Sequence, residues 1–151
     1  MFSPKKILVT TDFRGESDTA LKTAVDIAGK FKSEVYLMHV LEEVEPCVAE
    51  YCIITLSEDD IKTAKKNLMA STSKKLKEEI ERAVPKGETK VSEVIRFGNP
   101  IDEIIREVDE KNIDLLVVAP HEHHKSWNIF FSHLSDELVK KSSCKTLLVR
   151  N

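Results

Sequence analysis

Four apolar runs constrain this chain more than anything else in it. They are KKILVTTD at Lys5 to Asp12, VYLMHV at Val35 to Val40, IDLLVVA at Ile113 to Ala119 and TLLV at Thr146 to Val149. Each is strand length and apolar almost without alternation, and the first three carry the signature of strands buried on both faces. A fifth stretch, Lys90 to Arg96, does alternate, and reads as the third strand in chain order with one wetter face.

Helix signals fill the gaps. Ser17 or Asp18 is placed to cap a helix running through Phe31, with Ala20, Leu21, Ala24, Val25, Ala28 and Phe31 on one face. Ser57 with Asp60 three residues on resembles a capping box, and the helix after it carries a stripe of Ile61, Ala64, Leu68, Leu76 and Ile80 before Pro85 stops it. Gly98-Asn99-Pro100 is a turn into a further helix. Asn99 caps it, Pro100 takes the first helical position, and Asp102 and Glu103 meet the positive end of its dipole. Ile101, Ile104, Ile105 and Val108 form its buried side, and HLSDELVKKSS supplies the last helix. Residues 41–56, with Pro46, Cys47 and Cys52, receive no assignment.

The order is βαβαβαβαβ. It predicts an α/β fold, a five-stranded, mostly parallel, doubly wound sheet with helices on both faces. A length of 151 residues suits a single domain, 1–151. A cleft should open where strand order reverses, between the first and fourth strands, lined by Asp12 and the loop that begins at Ala119.

Composition excludes several classes of function. A net charge of −3 offers no general attraction to nucleic acid or anionic lipid, and the lysines between Lys62 and Lys77 fall at the spacing of a solvated helix face. No run reaches the ~18 apolar residues of a membrane span, and MFSPKKILV has no signal-peptide pattern, so a cytoplasmic location is expected. Three cysteines without framework spacing fit free thiols, although Cys47 and Cys52 share a loop and would be near enough in sequence to pair under oxidation.

The chemistry concentrates after the fourth strand, in HEHHKSWNIFFSH. His121, His123 and His124, with His133 further on, are the candidate metal set, and Glu122 offers an oxygen ligand, but the spacing matches no closed metal site. Cleft-lining or surface imidazoles are the simpler expectation. If the cleft holds an anion, His121 and His133 are its expected protein donors. Trp127, Phe130 and Phe131 read as packing for this loop, or as a patch for a partner or flat ligand. His39, inside a strand, reads as a core or cleft histidine satisfied by hydrogen bonds. No nucleophile elbow, Walker loop, CxxC or HExxH is present, and Asp12 is a lone carboxylate, so catalysis is not expected.

KKILVTTD, GNPIDEII, NIDLLVVAPH and SDELVKKSSCKTLLVR together resemble the universal stress protein family along essentially the whole chain. The resemblance implies a five-stranded doubly wound fold, a stress-linked role, and a homodimer paired through the last strand at Thr146, Leu147, Leu148 and Val149. Many members bind ATP through G-x-x-G, nine residues, then G and Ser or Thr. Here Ala119 and Glu122 stand at the first two glycines, Ser132 at the third, and His133 at the hydroxyl position. Asp12 (near the adenosine), Val40 (beside the base), His121 and Ser135 match. Glycines in such a loop let backbone N–H groups curl around phosphates, and Glu122 would add a repelling charge. The expectation is therefore a dimeric binding or regulatory module with a small-molecule or protein partner, no resident cofactor, and no ATP binding in the usual mode. The alternatives are a nucleotide-binding switch or slow ATPase with a rebuilt phosphate loop, and a metal-binding protein using the histidine loop.

Overall fold

The computed structural model describes residues 1–42, 57–86, 89–119 and 134–150. The elements are β1 (Lys6–Thr10), α1 (Gly15–Phe31), β2 (Glu34–Leu41), α2 (Glu58–Ala83), β3 (Val91–Phe97), α3 (Pro100–Lys111), β4 (Leu115–Val118), α4 (Leu134–Lys141) and β5 (Lys145–Leu148). The strands form one five-stranded sheet in the order β3-β2-β1-β4-β5. Every pairing is parallel. Chain order reverses at β1, which lies between β2 and β4, as expected.

Strand alternation sorts side chains into two layers. Ile7, Val9, Val35, Leu37, Leu115 and Val117 face α1 and α2, packing on Ala20, Leu21, Ala24, Val25, Ala28, Leu76 and Ala83. Leu8, Met38, Leu116 and Val118 face the opposite way, toward Ile104 and Val108 of α3 and Leu138 of α4. The uniformly apolar runs follow from this: both faces of β1 and β4 are covered.

Several boundaries differ from the sequence expectations. α1 starts at Gly15 with Arg14 as N-cap and no side-chain cap, so neither Ser17 nor Asp18 holds that position. Ser17 Oγ instead donates to the Arg14 carbonyl at 2.7 Å, from inside the first turn. β4 begins two residues later than expected because Asp114 is used as a side chain: its Oδ2 accepts from the backbone N–H groups of Lys5 and Lys6, pinning the start of β1.

The capping box of α2 is present, Ser57 and Asp60 bonding reciprocally. Its stripe, however, is buried only in the second half, through Thr72, Leu76, Glu79 and Ala83. Ile61 and Leu68, expected in the core, are 43% and 40% exposed, as is Met69 at 43%. Asn99 caps α3 as expected, its Oδ1 accepting from Ile101 and Asp102. On α3 Ile104 and Val108 are buried, while Ile101 and Ile105 are only partly so and Glu103 and Glu107 take buried places. Arg96 on β3 answers both carboxylates, with Nε 2.6 Å from Glu107 Oε2 and Nη1 3.5 Å from Glu103 Oε2. Residues 43–56, including Cys47 and Cys52, lie outside the described residues. Cys144 is a free thiol. No helix among the described residues is long and apolar enough to cross a membrane.

Candidate functional site

The C-terminal ends of β1, β2 and β4 converge on a cleft of about 310 Å³. Parallel strands put this edge of the sheet next to helix N-termini, and the reversal of strand order at β1 parts the flanking loops there. Its wall on the β1 side is the turn Thr11 to Arg14. The cleft is further lined by His39, Val40, Ala119 and Leu134.

The turn is built from side-chain hydrogen bonds. Asp12 Oδ1 accepts from the Arg14 N–H at 3.0 Å, an Asx-type turn, and Arg14 Nε lies 3.4 Å from Asp12 Oδ2. Phe13 between them adopts φ 64°, an uncommon conformation for a residue with a side chain. It is held from both sides: its N–H donates to Thr11 Oγ1 at 2.9 Å, and its ring packs on the His39 ring with centroids 4.4 Å apart. Lys75 Nζ sits 5.5 Å above the same ring.

His39 Nδ1 is 2.7 Å from the Thr11 carbonyl. A carbonyl only accepts, so this nitrogen carries the proton, as expected for a histidine satisfied inside the sheet. Burial lowers the pKa of His39, and Lys75 adds to this, against opposing pulls from the Thr11 hydrogen bond and the Asp12 charge. Behind the turn, Thr11 Oγ1 lies 2.7 Å from Oε2 of Glu79, which is fully buried, and 2.9 Å from Ser17 Oγ. Burial raises the Glu79 pKa.

Of the residues expected at the site, Asp12, Val40 and Ala119 are brought together on the cleft wall. Ser135 stands on the first turn of α4, next to Leu134, which lines the cleft, but is not itself on that wall. His121, Glu122, His123, His124, Ser132 and His133 lie outside the described residues, as do Trp127, Phe130 and Phe131. Among the described residues no group of three His, Cys, Asp or Glu is placed to hold a metal.

Two features escaped the sequence reading. Counting only imidazoles as anion donors missed Arg14, a guanidinium on the cleft wall. The Thr11–Ser17–Glu79 cluster was missed as well. Its signal was present: Glu79 falls at helical spacing between Leu76 and Ala83, on the apolar stripe, where a carboxylate needs a reason.

With this geometry in hand, comparison with known proteins is specific. The family model for the universal stress protein family matches residues 4–150. Universal stress protein MJ0577 of Methanocaldococcus jannaschii is 26% identical over 153 residues, covering 97% of this chain and 94% of that protein. The solved structure of hypothetical protein MJ0577 superposes with a TM-score of 0.76 at 25% identity, covering 99% of this chain and 98% of that one. A universal stress protein crystallised in complex with cAMP superposes at 0.70, with 19% identity, covering 99% and 98%.

Proposed function

Because this chain belongs to the universal stress protein family, we propose that it acts as a stress-linked binding and regulatory module rather than an enzyme, with residues 1–151 as one domain working in the cytoplasm. The β1/β4 cleft is its ligand site. It contacts the base-like part of a small ligand through Asp12 and Val40, and it does not bind ATP in the family's glycine-loop mode. His121, Ser132, His133 and Ser135 complete the site by position in the sequence.

One observation carries this reading. The cleft wall that retains Asp12 and Val40 also carries Ala119 where the signature's first glycine would stand. A methyl group enters where backbone must approach phosphate, and Glu122, Ser132 and His133 occupy the other signature positions. The cleft is at the small end of ligand pockets, which run to about 300–1,000 Å³.

A second reading, a nucleotide-binding switch or slow ATPase with a rebuilt phosphate loop, draws support from the related protein solved with cAMP. Calorimetry separates the two. ATP with magnesium is expected to bind more weakly than about 100 µM, equivalent to less than ~5.5 kcal/mol. Low-micromolar ATP binding with slow release of phosphate would establish the switch instead. Cyclic AMP and adenosine belong in the same titration series. Binding of either, lost on Asp12→Ala, supports the cleft as the site.

A further inference from the structure

We propose that Glu79 is a positioning residue of the cleft: held as the neutral acid, it donates its proton to Thr11 Oγ1 and so locks the Thr11–Arg14 turn that carries Asp12, and loss of that proton unlocks the turn.

A count of hydrogens carries the argument. Ser17 Oγ has one hydrogen, and it goes to the Arg14 carbonyl 2.7 Å away, an atom that only accepts. Thr11 Oγ1 also has one hydrogen, yet it lies within hydrogen-bond distance of two oxygens, Ser17 Oγ at 2.9 Å and Glu79 Oε2 at 2.7 Å. Its remaining neighbour, the Phe13 N–H at 2.9 Å, donates to it. Two oxygen–oxygen contacts need two hydrogens, and Thr11 supplies one. The second is the acid proton of Glu79.

With that proton present, the cluster becomes a single directed chain. Glu79 donates to Thr11, Thr11 to Ser17, and Ser17 to the Arg14 carbonyl, while Thr11 Oγ1 still accepts from Phe13. Both ends of the turn are then tied to one side chain of α2. Remove the proton, and Thr11 must give its only hydrogen to the carboxylate. The Thr11–Ser17 link is lost, and with it the connection from Thr11 to the Arg14 carbonyl.

Burial is the largest influence on Glu79 and favours the acid form, against the pull of the Thr11 and Ser17 hydroxyls, which favour the carboxylate. Glu79 is fully buried, and its Oε1 has no hydrogen-bond partner among the described residues. A buried anionic oxygen without a donor is far costlier than a carbonyl oxygen in the same place. Among the described residues no cation forms an ion pair with it. Arg82, on the next turn of α2, pairs with Asp18 of α1 at 3.2 Å, and these two act on Glu79 in opposite directions. Lys75, one turn earlier, sits over the Phe13 ring. On the cleft side Asp12 and His39 lie beyond Thr11, with His39 bonded to its carbonyl. A raised acid pKa stabilises the fold below the unfolded value of 4.5, and that contribution is lost as pH rises through the folded value. The turn is therefore tightest in acid and loosens as pH rises.

The proposal gives the cleft of the functional reading a pH response, but its test needs no ligand, so the two can fail separately. Protein labelled with ¹³C at glutamate carboxyls is titrated by NMR from about pH 4 to about pH 9, with Glu79 assigned from its absence in Glu79→Gln. The expected midpoint lies above 4.5. The Ser17 amide, which donates to the Arg14 carbonyl at 3.0 Å, reports the end of the turn that the lost Thr11–Ser17 link releases. Its hydrogen-exchange protection, corrected for intrinsic exchange, should fall about tenfold or more through the same midpoint. Glutamine keeps an N–H donor for Thr11 Oγ1, so in Glu79→Gln the Ser17 amide should stay protected across the range. A midpoint at or below 4.5, or Ser17 protection unchanged through it, overturns the proposal. The exchange readout needs only the unmodified protein, so protection unchanged between about pH 4 and about pH 9 overturns the proposal even if the glutamine variant does not fold.

Discussion

Thr11 is the residue on which the site turns. It serves β2 through its N–H, which donates to the Met38 carbonyl, His39 through its carbonyl, and Phe13, Ser17 and Glu79 through its hydroxyl. Valine has nearly the same shape but no hydroxyl, so Thr11→Val would strand the Phe13 N–H and the Glu79 carboxyl together. At about 1–3 kcal/mol per stranded buried group, the variant should lose upward of ~2 kcal/mol in urea unfolding. A loss under half of that would show the cluster to be incidental. His39 gives a pH prediction of opposite sense to Glu79. Its folded pKa is lowered, chiefly by burial, so the fold favours the neutral ring. That contribution is whole above the unfolded value of 6.5 and is lost as pH falls through the folded value. The His39 ring protons should titrate with a midpoint below 6.5; one at or above it would contradict the burial argument. His39 was legible in the sequence because an imidazole inside an apolar strand is tolerated only when its polar nitrogens find partners. Glu79 was legible too, at helical spacing with Leu76 and Ala83, but its neighbour Ile80 fits the same spacing and is the apolar choice. A one-residue shift on a helix moves the assignment by ~100° and hides a buried acid.

The elements differ in how much tertiary packing stands behind their local signals. Asn99 and Ser57 are both good N-caps, and each cap is worth about 1 kcal/mol in general. Their removal should nevertheless read out differently. α3 is anchored from its first turn, with Glu103 and Ile104 buried, so Asn99→Ala should lower global stability by about 1 kcal/mol in chemical unfolding. Every described residue of α2 from Glu58 to Ser71 is exposed. Ser57→Ala should therefore fray that half locally, seen as faster amide exchange there with little change in global stability. Equal global losses from the two would contradict this division. The β3–α3 pair makes a sharper case. Glu107 is buried with Arg96 as its main partner, while its other oxygen, among the described residues, has no hydrogen bond and only Lys111 Nζ at 3.5 Å. Arg96→Ala leaves that charge half answered and should cost about 3 kcal/mol. Strand and helix identities were readable because continuous apolar runs of strand length and the 3.6 period are local properties of sequence, whereas β3, the one alternating run, is half-buried along its whole length and shows no wetter face. The exposure of Ile61 and Leu68 was not, because periodicity reports which side of a helix is apolar and says nothing of where along its length a neighbour stops.

At the scale of the molecule, the sheet has two edges, and they are treated unequally. β3 carries Glu93 and Arg96, and Ser73 of α2 donates to Glu93 Oε2 at 2.7 Å, so charge and a covering helix blunt that edge. β5 reads KTLL, the described part of α4 spans eight residues, and Leu148 is 37% exposed. An apolar edge with unpaired backbone groups invites a further strand. The two layers on the faces of the sheet are already filled, so β5 is where the fold can grow without repacking. A second copy meeting it across a two-fold axis would extend one sheet through both protomers and bury Leu148 of each at the join. This supports the reading of Thr146, Leu147, Leu148 and Val149 as the pairing strand. Leu147 and Val149 pack against the α1–α2 layer, whereas Leu148 does not belong to either core, which makes it the residue to change. Light scattering at micromolar concentration should give twice the chain mass of 17.1 kDa. Leu148→Lys, which sets like charges across the join and leaves both core layers intact, should give a folded monomer with unchanged circular dichroism. A wild-type monomer would refute the dimer, and a Leu148→Lys dimer of undiminished affinity would move its interface away from β5.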